Sequence, residues 1–316
     1  MQKKDKTLSR KVFQTINPQQ LANLKALRSK IFKNGKQNLA ESNKENINNR
    51  PYIAQPLPSM SRKDRKGHEE YLEKIESHLK DTYTANLASF DAFDHQTEIN
   101  RRMRGILFNW LIEVQVKLNL KQKTIFIAAN IFDRYLQYKQ ISREKLQLTG
   151  ISCFLIASKY EDIYPPEIRE LYQYCDKIYE PNEFLDCESE IISCLDFNFV
   201  FVSALDFNEL YFKQHCDNKE LSKKFRNAST LILEVFLFDS FVGGYDSLKL
   251  AAFSRVMGRK LLGFPNDRTE ELSHDEYPAF LESMTNILAI LKKDRLNALE
   301  TKYKSLFLKL LYSDLN

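Results

Sequence analysis

Clusters of polar residues dominate residues 1–66, in contrast to the rest of the chain. This segment is rich in Asn, Gln, Lys and Ser, is poor in aromatic residues, and contains Pro51, Pro56 and Pro58. Such a composition buries too little apolar surface to offset the conformational entropy lost on ordering. We therefore predict that residues 1–66 form a disordered tail.

A helical period begins at Glu69. Apolar and aromatic side chains then recur at intervals of three to four residues, at Tyr71, Leu72, Ile75, Leu79 and Tyr83. This spacing places them on one face of an amphipathic helix. Residues 67–100 are therefore predicted to form an N-terminal helix and a linker.

Five further helices are predicted between residues 101 and 199. The first has an apolar face that spans roughly 140° of the helix, which is wider than core packing alone needs. That face is formed by Met103, Ile106, Leu107, Trp110, Leu111, Val114 and Leu118. The others are separated by Ser142, Pro165-Pro166 and Pro181, and cover residues 121–138, 143–160, 166–177 and 182–195.

A second set of five helices is predicted after Asn198. Ser203 and Asp206 resemble a capping box at its start. The helices cover residues 204–216, 220–238, 247–262, 276–292 and 295–312. The predicted fold class is therefore all-α, with two consecutive five-helix domains at residues 101–199 and 200–316.

Composition supports helices, and charge divides the chain into two parts. The 316 residues include only 8 Gly and 9 Pro, with 43% hydrophobic residues, so strand and turn signals are scarce. Residues 1–66 carry 16 Lys and Arg against 4 Asp and Glu, whereas residues 67–316 carry 31 against 38. A basic tail of this kind is compatible with binding to nucleic acid or an import receptor, and equally with simple solvation.

Chemistry-bearing residues do not cluster as a catalyst or a metal site would require. No Gly-rich phosphate loop, kinase catalytic loop or nucleophile elbow occurs, so we predict no enzyme and no cofactor. His215 beside Cys216 lacks the two further ligands of a zinc site, so we predict no metal. The odd cysteine count, without a CxxC pair, predicts reduced thiols at Cys153, Cys175, Cys187, Cys194 and Cys216.

The N-terminus and the apolar runs bear on membrane targeting. The chain begins with polar, Lys-rich residues, and no apolar run approaches the roughly 18 residues of a membrane span. We therefore expect no secretory signal and no membrane partner.

Three stretches of sequence resemble the cyclin family. MRGILFNWLIEV at 103–114 is similar to the opening helix of the cyclin box, and KLQLTGISCFLIASKYEDIYPPEI at 145–168 to its third helix and the following turn, with FDRYL at 132–136 between them. LKLAAFSRVMGRKLLG at 248–263 resembles the small-residue-rich helix of a second cyclin-like domain. The phrases EVQVKL and ASKYEDIYPPEI are closer to B-type than to A-type wording, so the resemblance is to mitotic A/B-type cyclins.

This resemblance implies a regulatory subunit that binds and activates a cyclin-dependent serine/threonine kinase at the G2/M transition. By the same resemblance, Lys159 and Glu188 would be the charged pair that faces the kinase, and the neighbouring surface would be formed by Tyr160, Glu161 and Asp162. The spacing of Lys159 and Glu188 by itself favours ordinary solvated helix residues, and the resemblance is what points to the kinase-facing role.

The resemblance also implies a docking patch for Arg-x-Leu peptides of substrates or inhibitors. Its residues would be Met103, Ile106, Leu107, Trp110, Glu113 and Gln147. A stripe at helical spacing is also typical of a core, and this alternative applies to Leu107 and Trp110. Asn109 stands where the family usually has Asp, which removes a carboxylate beside Trp110, so a local hydrogen bond or ion pair is expected to be absent.

The tail contains short signals for degradation. Lys44, Glu45 and Asn46 form a KEN box, which the anaphase-promoting ubiquitin ligase reads in an accessible segment. A degenerate destruction box is formed by Arg10, Phe13, Ile16 and Asn17. Together they imply timed proteasomal loss.

Localisation and an alternative function remain open at this stage. The basic cluster Arg62, Lys63, Arg65 and Lys66 is compatible with nuclear import or with a solvated linker, and we expect the protein in nucleus and cytoplasm. The alternative function is a transcription-machinery scaffold, since a general factor that bridges polymerase and promoter also carries two cyclin-like folds. That factor has a zinc ribbon, which this sequence lacks, so we expect no nucleic-acid partner.

Overall fold

The computed structural model describes residues 62–84, 86–87, 93, 95–215, 219–239, 245–264, 272 and 276–312. The chain divides into two compact units, Met1–Lys66 and Gly67–Asn316, and every described side chain belongs to the second. The described residues form helices and no strand, which confirms the all-α fold class.

Twelve helices occur in the described ranges. The first six are α1 (Arg62–Thr82), α2 (Arg101–Leu118), α3 (Gln122–Tyr138), α4 (Leu146–Glu161), α5 (Ile168–Tyr174) and α6 (Pro181–Cys194). The next six are α7 (Ala204–His215), α8 (Lys219–Phe236), α9 (Ser247–Leu262), α10 (Glu276–Asp294), α11 (Ala298–Tyr303) and α12 (Ser305–Tyr312). Helix α1 begins at Arg62, so its first turn includes the basic cluster that the sequence pattern assigned to the tail.

Two helix ends differ from the sequence prediction for a backbone reason. Helix α5 stops at Tyr174, and residues Asp176 and Lys177 adopt left-handed φ values of 53° and 59°. The last predicted helix is two helices, because Lys304 between them has φ 50° and ψ −120°. This break allows α11 to bury Leu299 while α12 buries Phe307 and Leu310.

Residues 101–199, which contain α2 to α6, are called the first half below. Helices α2, α3, α4 and α6 pack together to form its core. Leu107 of α2 is fully buried against α4. A Cβ atom at Gly150 would lie 2.7 Å from both Cδ atoms of Leu107, so the close approach of these helices requires glycine there. Edge-to-face contact between Phe108 and Phe132 joins α2 to α3.

The helices after residue 200, α7 to α12, are called the second half, and it is built around α8 and α9. Phe236 and Phe253 contact each other edge-to-face, and Phe280 of α10 packs against both rings. At the start of α7, the Asp206 carboxylate accepts hydrogen bonds of 2.8 Å from the backbone N–H and the hydroxyl of Ser203. The acidic half of the predicted capping box is therefore present, while the Ser203 hydroxyl donates to the carboxylate.

Helix α2 joins the two halves. Buried Arg104 binds Asp133 of α3 through Nε–Oδ1 and Nη2–Oδ2 bonds of 2.6 Å each. Its Nη1 also donates to the carbonyl oxygens of Leu237 (2.6 Å) and Asp239 (3.1 Å), which follow α8. Arg102 forms a bidentate ion pair with Asp294 at the end of α10. The first half is thus fixed to the second by charge-assisted bonds.

A second polar contact lies at the other end of α2. Lys302 Nζ donates to Gln115 Oε1 at 3.0 Å and to Glu234 Oε1 at 2.6 Å, which connects α2, α8 and α11. Glu234 is fully buried, and Lys302 supplies the opposite charge that a buried carboxylate requires. Burial, together with nearby Glu234, raises the pKa of Tyr303 well above its usual value.

Candidate protein-docking surfaces

Lys159 and Glu188, which are 29 residues apart in sequence, form an ion pair with each other. Lys159 Nζ lies 2.6 Å from Glu188 Oε1 and 2.8 Å from Oε2. The lysine side chain is 46% exposed, whereas that of the glutamate is 10% exposed. The structure therefore brings together the two residues that the sequence selected, at the surface where α4 packs against α6.

Local sequence fixes the helices that carry this pair. Lys159 lies in the last turn of α4, where a positive charge is favoured by the helix dipole. Helix α6 begins with Pro181 in its first turn and a capping box between Glu180 and Glu183. Both charged groups are thus held on regular, well-terminated helices.

The two acidic residues after Lys159 bind their own chain. The Asp162 carboxylate accepts from the Lys121 backbone N–H at 2.8 Å and from the Thr124 hydroxyl at 2.6 Å, which caps the start of α3. Glu161 binds Lys121 Nζ at 3.0 Å. Asp162 and Glu161 thus bind the start of α3, whereas Tyr160 is exposed at the surface.

Apolar side chains that sequence reasoning did not select lie on, or directly after, the helix that carries Glu188. Leu185 and Ile192 share the face of α6 that carries Glu188; the first is exposed and the second half-buried. Phe197 follows that helix, is 75% exposed, and has a left-handed φ of 54°. Lys159, Glu188, Leu185, Ile192 and Phe197 are called the ion-pair surface below. A positive φ at a bulky residue is a strained conformation, which is concentrated at functional sites.

The predicted docking patch is partly exposed and partly core. Leu107 has 0% exposure, as the core alternative expected for it, and Met103 is also buried, so neither side chain is part of an exposed patch. Ile106, Trp110 and Glu113 are half-buried and follow one face of α2, and half-buried Gln147 lies one turn before Gly150 on α4. Ile106, Trp110, Glu113 and Gln147 are called the docking strip below.

Asn109 is hydrogen-bonded through both atoms of its side-chain amide. Its Oδ1 accepts from the backbone N–H of Ala298 at 3.0 Å, and its Nδ2 donates to Glu113 Oε1 at 3.4 Å. Ala298 belongs to the second half, so the local sequence does not reveal this contact.

The described cysteines are free thiols. Burial raises the pKa of Cys175 to about 12, and raises that of Cys153 well above its usual value. At neutral pH both thiols are protonated and therefore poor nucleophiles. Cys216 and the side chain of His215 lie outside the described residues.

The described residues contain no group of three or more His, Cys, Asp or Glu side chains that could hold a metal ion. None of the helices in these ranges is long and apolar enough to cross a membrane. The degron residues lie outside the described part of the chain: Lys44, Glu45, Asn46, Arg10 and Phe13.

A family model described as "Cyclin, N-terminal domain" matches residues 74–200. This segment includes α2 to α6, and therefore both the ion-pair surface and the docking strip.

Curated relatives include mitotic cyclins of both types. The chain is 31% identical over 193 residues to a G2/mitotic-specific cyclin-B of Emericella nidulans, covering 61% of this chain and 40% of the relative. It is 34% identical over 183 residues to cyclin-B2-3 of Arabidopsis thaliana, covering 58% and 42%. It is 31% identical over 242 residues to a G2/mitotic-specific cyclin-A of Patella vulgata, covering 75% and 56%. The chain spans about half the length of these relatives.

A solved structure has the same fold. The X-ray structure of a viral cyclin from herpesvirus saimiri matches with a TM-score of 0.55 and 18% identity, covering 76% of this chain and 98% of that one. At this identity the likeness establishes the fold alone.

Proposed function

Because this chain belongs to the cyclin family, in the group of mitotic A- and B-type cyclins, we propose that it is a regulatory subunit that binds and activates a cyclin-dependent kinase at the G2/M transition. The observation that supports this most directly is the ion-pair surface, where half-exposed Lys159 pairs with largely buried Glu188 and exposed Leu185 shares the helix face of Glu188. Catalysis then belongs to the partner, and this chain is not an enzyme.

The chemistry of the ion-pair surface suits a protein partner. Each carboxylate oxygen of Glu188 has two acceptor positions, and the bonds to Lys159 use one on each. The exposed part of this pair would bind polar backbone groups of a kinase. Aromatic and apolar side chains such as Phe197 and Leu185 exclude water around such bonds, which is typical of the centre of an interface.

Activation requires that the cyclin bind the active kinase conformation more tightly than the inactive one. A shift from 1:99 to 99:1 needs about 5.5 kcal/mol of preference. At about 25 cal/mol per Å² this corresponds to roughly 220 Å² of additional apolar burial. A standard interface of about 1,600 Å² can supply that difference.

The proposed activity is tested with the full chain. Tagged protein isolated from cells synchronised at G2/M should carry a serine/threonine kinase that can be identified by mass spectrometry. Recombinant chain added to that purified kinase should raise phosphorylation of a protein substrate well above the activity of either protein alone. Absence of any bound kinase, or kinase activity in the isolated chain, would contradict the proposal.

The docking strip is proposed to bind Arg-x-Leu segments of substrates or inhibitors. Ile106 and Trp110 offer apolar surface for the leucine, and Glu113 offers a carboxylate for the arginine. Gln147 adds an amide that can bind the peptide backbone. A half-buried apolar strip with one acidic neighbour suits recognition of a short peptide.

Timed degradation is a further part of the proposal. Deletion of Lys44 to Asn46 should leave the protein present after anaphase, because the ubiquitin ligase would lose the KEN box in the tail. Live imaging of a fluorescent fusion through mitosis measures this, and it also records whether the protein resides in nucleus and cytoplasm. A matched variant with Ile47 to Asn49 deleted should decay normally. Normal decay of the first variant would remove the KEN box from the proposal and leave Arg10 to Asn17 as the candidate signal.

A further inference from the structure

The docking strip lies between two walls of different origin. On one side, α4 is held against α2 by the contact between Gly150 and Leu107. On the other side, the connection between α10 and α11 is held by the Arg102–Asp294 ion pair and by the bond from Ala298 N–H to Asn109. Asn109 therefore belongs to the second wall, and it also lies one helical turn before Glu113, the acidic group of the strip.

The two contacts of Asn109 fix the direction of its amide. The N–H of Ala298 can only donate, so the Asn109 atom that faces it must be the oxygen. The Nδ2 group is then directed toward Glu113 Oε1, at 3.4 Å. The opposite orientation would place two donors against each other and turn the amide oxygen toward a carboxylate.

Glu113 is the acidic group of the strip that remains available to a ligand. It forms no ion pair within the described residues, and Lys117, one helical turn further along the same helix, lies over the Tyr174 ring at 5.6 Å. The other acid near this wall, Asp294, is already bound to Arg102 through both oxygens.

We infer that Asn109 is a specificity-determining residue, which limits the docking strip to a single available carboxylate, so that a ligand with two adjacent cationic side chains gains no affinity over a ligand with one. This inference rests on the proposed docking function. An Asp at position 109 would accept the same bond from Ala298, but its second oxygen would place another negative charge beside Glu113. The Asn109 amide instead leaves position 109 uncharged and keeps the hydrogen bond to Ala298.

The test compares two fluorescent peptides that differ by one charge. One contains Arg-Ala-Leu, and the other has Lys directly before that Arg. Wild-type chain should bind both within about twofold. Asn109→Asp should bind the Lys-Arg peptide about two- to fivefold more tightly than wild type does, as expected for one added exposed ion pair, with little change for the other peptide. This gain should disappear near 1 M salt, where the Debye length is about 3 Å.

Two further variants separate the possible outcomes. Glu113→Gln should weaken both peptides, and Asn109→Asp combined with Glu113→Gln returns the strip to one carboxylate and should remove the preference for Lys-Arg. Equal binding of both peptides by Asn109→Asp and wild type would overturn the inference while the docking function stands. Failure of wild type to bind either peptide would overturn the docking function and the inference with it.

Discussion

Co-purification of a kinase should be lost, and its activation abolished, when Lys159 and Glu188 are both replaced by Ala. The pair is the polar centre of the ion-pair surface, so its removal leaves the partner's backbone groups without charged partners in a site from which water is excluded. Truncation of a buried, hydrogen-bonded charge pair at an interface typically costs about 2–5 kcal/mol, or roughly 30- to 5,000-fold in affinity. Pull-down followed by a kinase assay measures both effects.

The double variant is preferable to either single one. Lys159→Ala alone would leave the largely buried Glu188 carboxylate without its partner, so that loss of folding and loss of binding could be confused. Removing both groups avoids an unpaired charge, and a pair with one half-exposed member contributes roughly 0–1 kcal/mol to folding. The double variant should therefore keep the thermal stability of the wild-type chain.

Two controls distinguish recognition from general electrostatics. The Lys139–Glu190 pair, at 3.2 Å, joins α3 to the side of α6 away from Glu188, and its replacement by two Ala residues should leave kinase binding intact. The exchange of Lys159→Glu with Glu188→Lys preserves an ion pair but reverses its polarity. That variant should fold and fail to bind. Kinase activation at the wild-type level by the double Ala variant would contradict the proposed role of the pair.

The helical period made most of the fold predictable from sequence. Helix α3 was predicted at residues 121–138 and is found at Gln122–Tyr138, because its apolar positions repeat without interruption. The break at Lys304 was missed because a single left-handed lysine leaves no mark on that period. Such conformations are imposed by packing of the flanking helices, which the local pattern does not contain.

The candidate site was predictable only in part, since residue type does not reveal exposure. Leu107 and Trp110 are three residues apart on one apolar face, yet the first is fully buried and the second borders solvent. The roles of Asp162 as a cap for α3 and of Asn109 as an acceptor for Ala298 depend on segments about 40 and 189 residues away. The resemblance to the cyclin family identified Lys159 and Glu188 but not Phe197. The exposure and positive φ of Phe197 are visible only in three dimensions.

Replacement of Arg104 by Ala should destabilise the protein by about 3–5 kcal/mol, because it leaves the buried Asp133 carboxylate without its counter-charge. The carbonyl oxygens of Leu237 and Asp239 also lose a donor, and the cation over the Phe108 ring at 4.4 Å is lost. Chemical denaturation followed by circular dichroism measures the change. Arg104→Lys keeps the charge without the bidentate geometry and should fall between wild type and Ala.

An exposed pair provides the matched control. Lys74→Ala removes one partner of the Glu70–Lys74 pair on α1, where both side chains are more than half exposed, and should change the unfolding free energy by less than about 0.5 kcal/mol. The double variant Arg104→Ala with Asp133→Ala should be less destabilised than the sum of its single variants, since the charge left unpaired is then absent. Simple additivity would show that the two side chains act independently.

The pH dependence of the Arg104→Ala variant identifies the cause of its instability. Burial raises the pKa of Asp133 above its usual value, and Arg104 opposes this effect, so removal of Arg104 raises the pKa further in the folded state. A carboxyl whose folded pKa is raised loses folding free energy as pH rises from its unfolded pKa through its folded pKa. The loss of unfolding free energy in Arg104→Ala, relative to wild type, should therefore shrink as pH falls toward 4.

Leu111→Ala, which removes uncharged core volume, is the control. It should lose about 2–5 kcal/mol of unfolding free energy, and this loss should not vary with pH. A pH-independent deficit in Arg104→Ala would instead assign its instability to lost packing and carbonyl bonds.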